Sequence, residues 1–456
     1  MKNRMKKWIP LLSIVPFVVG SAGYIAAGES MTDSLYASFA LYFVNPVSDG
    51  HNIWIEFARW SAALVTTTVI LFAVRTVWKN IGYWVKCLFK ESVAVYSDSD
   101  IKIAFGKKVA AIYPGRECKY SAKSHIIMLG SDTDSLKFYE ENKKLLEGRA
   151  VYIGLKEIEY GLMKDNPNVT FFDINGSTAR ELWKNIGIWR KGKETYRITI
   201  YGSSTLAENV LNCGLLLNLY SDTQSISYHL VSDDRTYAVK HKGMETGNRD
   251  KLYYHSTDDE AVWDVIRTSD IVILTEEPSA KLLQAVSVVC QDGEVYYYSP
   301  KAGDVGDYLD QKNIRSFGRE YDIFSDENIR QEKLLEKAKQ LNLRYAEAYG
   351  GEKDWNKFSG FLKWSNISSA DFNDIISELI SANADLEMLS ELEHIRWCRF
   401  HYLNYWKYGV PENGKSKDPV KKIHTCLVSY SKLGEDEKEK DREVVASAKT
   451  IYKEKF

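Results

Sequence analysis

The sequence predicts a multidomain protein: two transmembrane α-helices, then a doubly wound α/β region, then an α-helical C-terminal region. Two long apolar runs lie within the first 90 residues, and short apolar strands alternate with polar helices through the middle. After about residue 325 strand-like segments give way to helical periodicity.

The 456 residues suffice for two or three domains, each burying its own core. Lys and Arg total 60 against 62 for Asp and Glu, a formal charge of -2, so no long nucleic acid is expected as a partner. Six cysteines lie scattered without CxxC spacing or a disulfide-framework pattern, which reads as reduced thiols.

Residues 8–28 contain no charge and include Ile9, Leu11, Leu12, Ile14, Val15, Phe17, Val18 and Val19, enough to cross roughly 30 Å of hydrocarbon as a helix. A second run, 60–74, is flanked by Arg59 and Arg75 and reaches Trp78 if Arg75 snorkels. The first run exceeds a signal-peptide core, and no clear cleavage site leads into a cysteine-bridged domain, so an uncleaved anchor is expected. Lys2, Arg4, Lys6 and Lys7 precede the first run, and Arg75, Lys79, Lys86 and Lys90 lie near the end of the second. The loop between carries Glu29, Asp33, Asp49 and Glu56. Such asymmetry puts both termini in the cytoplasm of a plasma (inner) membrane protein, with the lipid bilayer as its first partner. Residues 34–44 are apolar but too short to span; a re-entrant pore helix and an interfacial amphipathic helix both fit them.

The domains expected are 1–90 for the membrane part, 91–121 as a connector, 122–325 as the α/β region in halves of about 122–192 and 193–325, and 326–456 as the helical region. HIIML (125–129), AVYI (150–153) and VTFF (169–172) are strand candidates with helices at 134–146 and 177–186. YRITIY (196–201), a helix at 205–219, and strands at 226–231, 271–274 and 295–298 form the second set.

HIIMLGSDTDS (125–135), VTFFDINGSTARELWKNIGI (169–188) and ITIYGSSTLAENVL (198–211) resemble the Rossmann-like TrkA-N (RCK-type) nucleotide-binding domains found behind ion-transport membrane segments. That family's first turn brings backbone amides to a pyrophosphate with G-x-G-x-x-G. Here only Gly130 remains, followed by Ser131, Asp132 and Thr133, and a carboxylate at Asp132 would repel phosphate. The second turn, Gly202, Ser203, Ser204 and Thr205, offers hydroxyls and a helix N-terminus to an anion and is the candidate cofactor-binding turn. Classical NAD chemistry is not expected, and the cofactor remains open beyond a nucleotide ligand.

Residues 391–409, ELEHIRWCRFHYLNYWKYG, interleave aromatic rings with ionisable groups, which suits a ligand both flat and polar. With KKIHTCLVSYSKLGEDEKEKDREVV (421–445), they resemble the ryanodine-receptor repeat (RyR) domain, including its bacterial versions. That pattern has an E-H-x-R-W helix, an aromatic-x-Y-G end, a K-x-x-H-x-x-L-V segment and a K-x-x-D-R helix. Glu393, His394, Arg396, Trp397, Tyr408, Gly409, Lys422, Leu427, Val428, Lys440, Asp441 and Arg442 match as they stand, and the likeness covers about 386–452. The candidate ligand-binding residues are Glu393, Arg396, Trp397, Trp406, Tyr408, Lys422 and His424, with Arg396 and Lys422 meeting phosphate and a tryptophan stacking on a base. The alternative is a structural Glu393–Arg396 pair capped by aromatic packing. His394, Cys398 and His401 fall close to one helical face, with His424 and Cys426 downstream in the sequence, but their spacing matches no familiar zinc site, and no metal is expected.

The combined resemblance implies a membrane effector or channel gated by a small nucleotide, in antiviral defence. Two spans enclose no pore alone, so a homo-oligomer is implied. A non-conducting regulator accessory to an ion transporter is the alternative. No activated nucleophile can be named for a hydrolase.

Overall fold

The computed structural model describes residues 2–98, 101, 103–158, 168–301, 305–309, 312–330, 332–412 and 414–453. They form two compact units, Met1–Phe89 and Lys90–Phe456.

The first unit holds α1 (Lys2–Ala26), α2 (Met31–Ala40) and α3 (Ile53–Cys87). Small residues bring these helices close. A Cβ on Gly23 would meet Ile55 Cγ1 at 2.9 Å, one on Gly20 would meet Ala58 Cβ at 3.2 Å, and Ala58 and Ala62 are fully buried. Asn52 caps α3 through the Ile55 amide at 2.9 Å and donates from Nδ2 to Gly23 O at 2.7 Å, tying the helix start to α1. Most of the outward side chains of α3, including Trp60, Leu64, Leu71, Phe72 and Trp78, are exposed. Among the described residues α3 is the one helix long and apolar enough to cross a membrane, and the described apolar part of α1, Ser13–Ala26, is shorter. Of the two spans expected, one is thus present among the described residues. The side chains of residues 2–12, which hold the expected basic flank and the start of the first run, lie outside the described residues. Residues 34–44 form most of α2 and a 3-10 turn, Leu41–Phe43, packed against α1 and α3.

The second unit is built on two parallel sheets. β1 (Ser92–Ser97), β2 (Ala110–Ile112), β3 (Ser124–Met128), α4 (Asp132–Leu146), β4 (Ala150–Leu155), β5 (Val169–Asp173) and α5 (Ile174–Ile186) form the first, in strand order β2-β1-β3-β4-β5. Residues 91–121, expected as a connector, thus supply two strands. β1 begins four residues after α3 ends, leaving only residues 88–91 between them.

The second sheet contains β6 (Thr195–Tyr201), α6 (Thr205–Leu217), β7 (Ser225–Val231), α7 (Thr236–Lys240), β8 (Lys251–His255), α8 (Ala261–Arg267), β9 (Ile271–Leu274), α9 (Ala280–Val289), β10 (Glu294–Tyr298) and β11 (Ile314–Phe317). Its order, β11-β10-β9-β6-β7-β8, is that of a dinucleotide-binding sheet, reversing direction between β6 and β9. The halves are joined by α5 packing on α6. Trp183 is fully buried, donates from Nε1 to Val210 O at 2.8 Å and lies over Gly214, where a Cβ would come within 2.9 Å of its ring.

The remaining elements are α10 (Glu320–Ile323), α11 (Asp326–Arg330), α12 (Glu332–Tyr349), α13 (Gly360–Ser381), α14 (Leu386–Leu403), β12 (Lys407–Tyr408), β13 (Lys417–Asp418), β14 (Ile423–His424) and α15 (Glu435–Lys453). Ile323, Phe324 and Ile329 of this region pack into the core of the first sheet. Phe372, Ile375 and Ile376 of α13, Leu389, Leu392 and Ile395 of α14 and Val445 of α15 share one apolar cluster with Ile198, Leu215 and Tyr228 of the second half. The helical region thus shares the core of the second half through α6, while smaller clusters of its own lie between α12 and α13 and around Cys398, Trp406 and Leu427.

Candidate functional site

Each sheet has a glycine turn where its strand order reverses, the place such folds offer to ligands. Beyond β3, the Gly130 amide donates to Asp98 Oδ2 at 3.0 Å, and Asp98, just past the neighbouring β1, is gripped by Arg116 through two bonds of 2.6 Å. The guanidinium beside it holds the Asp98 carboxyl below its ordinary range. Asp132, buried at the start of α4, accepts the backbone amides of Lys156, Glu157 and Ile158, each at 2.8 Å. The carboxylate expected to repel a phosphate is itself the anion that satisfies these amides.

Beyond β6, Gly202, Ser203, Ser204 and Thr205 lie together as a strand-to-helix turn. Gly202 has φ +144°, and a Cβ there would sit 2.2 Å from Thr275 Oγ1, so only glycine fits. The Ser203 amide donates to Glu276 Oε1 at 2.8 Å, and its hydroxyl accepts from Asp233 N at 3.0 Å. Ser204 is the N-cap of α6, its Oγ buried without a partner among the described residues, and Thr205 opens the helix. The amide that would meet an anion is thus bonded to the chain's own carboxylate.

In the C-terminal region Asp385 caps α14 by accepting the Met388 amide at 2.9 Å. Leu389, Leu392 and Ile395 then turn one stripe of the helix to the sheet, which buries the polar groups between them. Glu393 and Arg396, one helical turn apart, form a bidentate pair with two bonds of 2.7 Å; Arg396 is 1% exposed and also donates to Ser368 Oγ at 3.0 Å. This is the geometry of the structural reading of the pair.

His394 touches Asp441 through Nδ1 at 3.2 Å and Val428 O through Nε2 at 2.9 Å. Burial opposes its charge, but the Asp441 carboxylate and the Cys398 sulfur outweigh burial and raise its pKa to about 10. Cys398 Sγ lies 3.4 Å from the same Nε2. Cys, His and Asp in this order have the outline of a nucleophile, base and orienter. However, Nε2 carries the proton donated to Val428 O, so it cannot take one from the thiol, and Cys398 is 5% exposed.

The aromatic candidates gather around two other histidines. Trp397 lies 4.0 Å from the His401 ring and 5.0 Å from His424, while Trp406 stacks on Phe361 at 5.2 Å. Burial lowers the pKa of His401 to about 3 and that of His424 to about 4, leaving both neutral. Trp406 and His424 are buried and Trp397 half-buried, whereas Tyr408 and Lys422 are exposed. Lys422 Nζ donates to Asn404 O at 3.1 Å and stands 5.2 Å over the Tyr405 ring. The seven candidates therefore fall into a buried ion pair, a buried aromatic nest and an exposed edge.

The residue that sequence reasoning left without a role is Arg399. Fully buried, it donates from Nε to Thr246 O at 2.7 Å, from Nη1 to Leu215 O at 2.8 Å, and from Nη2 to Asn248 Oδ1 at 2.7 Å and Asp250 Oδ2 at 2.8 Å. Asp250 is equally buried, so this ion pair fastens α14 to the loop before β8. Beside it, His241, Met244, Thr246, Asn248, Leu252 and Tyr253 are among the residues around an open depression of about 570 Å³. The only signal in the sequence is a second arginine one turn beyond Arg396. Among the described residues no group of three or more His, Cys, Asp and Glu side chains is placed to hold a metal.

No curated protein and no solved structure matches the chain. Residues 379–453, from the last turn of α13 through α15, match the RyR domain family.

Proposed function

We propose that the protein is a membrane-anchored sensor or effector whose cytosolic RyR and TrkA-N-like regions bind a small nucleotide-type ligand and reorganise a membrane domain. In this reading α1 is the second span, both termini are cytoplasmic, and a homo-oligomer supplies the path for ions or the disruption of the bilayer, in antiviral defence. The observation that carries it is the buried Arg399–Asp250 tie, which links the RyR helix to a sheet in dinucleotide-binding order. The short 88–91 connection between the apolar α3 and the first sheet supports it further. A ligand can drive such a change only through unequal affinity for the resting and active arrangements.

The test is ion flux from vesicles carrying the full chain, with and without a panel of mono-, di- and cyclic nucleotides. Nucleotide-dependent leakage is expected. Binding without leakage under every condition would favour the second reading, a non-conducting regulator of an ion transporter. That reading draws support from the two glycine turns, each bonded to an internal carboxylate.

A further inference from the structure

The helix α3 is longer than a bilayer needs. It runs 35 residues without a break, about 52 Å at the usual rise, while roughly 30 Å of hydrocarbon takes about twenty. A span that starts at Trp60 is complete by about Lys79, so about the last two turns of the helix and its C-cap, Leu88, stand beyond the hydrocarbon.

An apolar stripe runs on through that end. Leu71, Val74, Trp78, Ile81, Val85 and Leu88 follow one another in alternating steps of three and four, the seven-residue period of a coiled-coil seam, and the same period reaches back to Leu64. Each is exposed, from 45% at Val74 to 83% at Leu88. A different side of α3 packs on α1 and α2. Ile55, Ala58 and Ala62, in the apolar cluster of the first unit, and Thr66, which donates to Tyr42 O at 2.8 Å, lie roughly 120° round the helix from the seam. Lipid covers a seam inside the bilayer. Ile81, Val85 and Leu88 lie past it, where an exposed apolar stripe marks a protein contact.

The charges indicate which protein. No Asp or Glu occurs from residue 57 to residue 90, and Lys79 and Lys86 fall off the seam, which is itself uncharged. Copies of the chain inserted alike in one bilayer are parallel, so each seam residue meets its own counterpart, apolar against apolar. Arg75 flanks the seam, but in a parallel pair it faces Ile70 of the second copy, and no like charges meet. An anionic lipid surface would suit the lysines, yet an unbroken helix leaving the bilayer cannot lay the stripe back on it.

We infer that α3 is the contact between copies of this chain, a parallel helical seam from Leu71 to Leu88 that continues out of the bilayer. This rests on the reading of α3 as a membrane span in a homo-oligomer and adds the face, direction and register that hold the copies together.

Disulfide cross-linking of the full chain in lipid vesicles tests it, with a Cys87→Ser chain as background and blank. Ile81→Cys and Leu88→Cys should each shift to covalent dimer on mild copper oxidation, while Thr76→Cys and Lys79→Cys, off the seam near the same end of the helix, should stay monomeric. Ile81→Glu, which sets like charges face to face, should shift the chain in detergent to a smaller particle by light scattering, and Lys79→Glu should not. Unchanged thermal melts confirm that both fold. Equal cross-linking at every position, or at none, overturns the seam, as does an unchanged particle size for Ile81→Glu. Leakage on nucleotide addition without seam cross-links leaves the sensing reading standing alone, and seam cross-links without leakage leave the assembly standing alone. Release of the chain from the vesicles by alkaline carbonate would overturn both.

Discussion

The glycine turns of the two sheets are closed by carboxylates from the same topological place, the residue just past or one beyond the neighbouring strand, yet they differ in what holds the carboxylate. In the first sheet Asp98 is fixed by Arg116 as well as by the Gly130 amide. In the second, Glu276 is held among the described residues by the Ser203 amide alone, and closeness comes from steric fit at Gly202. The first turn is locked by charge. The second is shaped by backbone, and its carboxylate can swing away without leaving a cation behind. The tertiary ties differ in the same sense: the second half carries the RyR helix through a buried arginine, while the first follows α3 in the chain.

The largest expected contrast is between the two arginines. Arg399→Met leaves Asp250 charged and buried and should destabilise the second unit by about 3–5 kcal/mol in denaturant unfolding. Arg116→Met, at an exposed pair, should leave the unfolding midpoint nearly unchanged. Similar losses from both would erase the distinction between a buried fastening and a surface one.

A smaller contrast lies at the glycines. Gly202→Ala meets a contact of 2.2 Å in a left-handed backbone and should cost about 1–3 kcal/mol. Gly130→Ala, whose nearest atom is Asp98 Oδ2 at 3.4 Å, should stay within about 0.5 kcal/mol. Thermal melts of both variants decide whether the second turn is the shape-restricted one.

The smallest effect concerns pH. Each sheet buries one neutral histidine, His125 on β3 and His229 on β7, and burial lowers the pKa of each from 6.5 to about 4. The unfolded chain takes up these protons near 6.5 and the folded chain only near 4. Their contribution is therefore intact above pH 6.5 and falls away as pH drops toward 4. His125→Gln and His229→Gln should each flatten the melting temperature against pH over that window. Because both values fall to about 4, the two variants should flatten the curve to a similar extent.

What was legible in the sequence was local. The strands at 125–129 and 196–201, the helices after them and the Glu393–Arg396 pair all report through neighbours a few residues apart. β1 was hidden because SVAVYS follows directly on an apolar helix, so its short run reads as the tail of the membrane segment. Arg399 was hidden for a different reason: its carboxylate partner lies 149 residues away, and a long-range ion pair leaves no period in the chain. Trp406 and His424 carried the right signal with two meanings, since aromatic rings beside polar groups serve a ligand or a small domain's interior, and here they lie against Phe361 and Trp397.

Residues 88–91 set a length scale for any assembly. Four residues reach at most roughly 14 Å when fully extended. β1 is moreover an interior strand of its sheet, flanked by β2 and β3, so a rotation of α3 would be delivered to the middle of a hydrogen-bonded layer rather than to a loose edge.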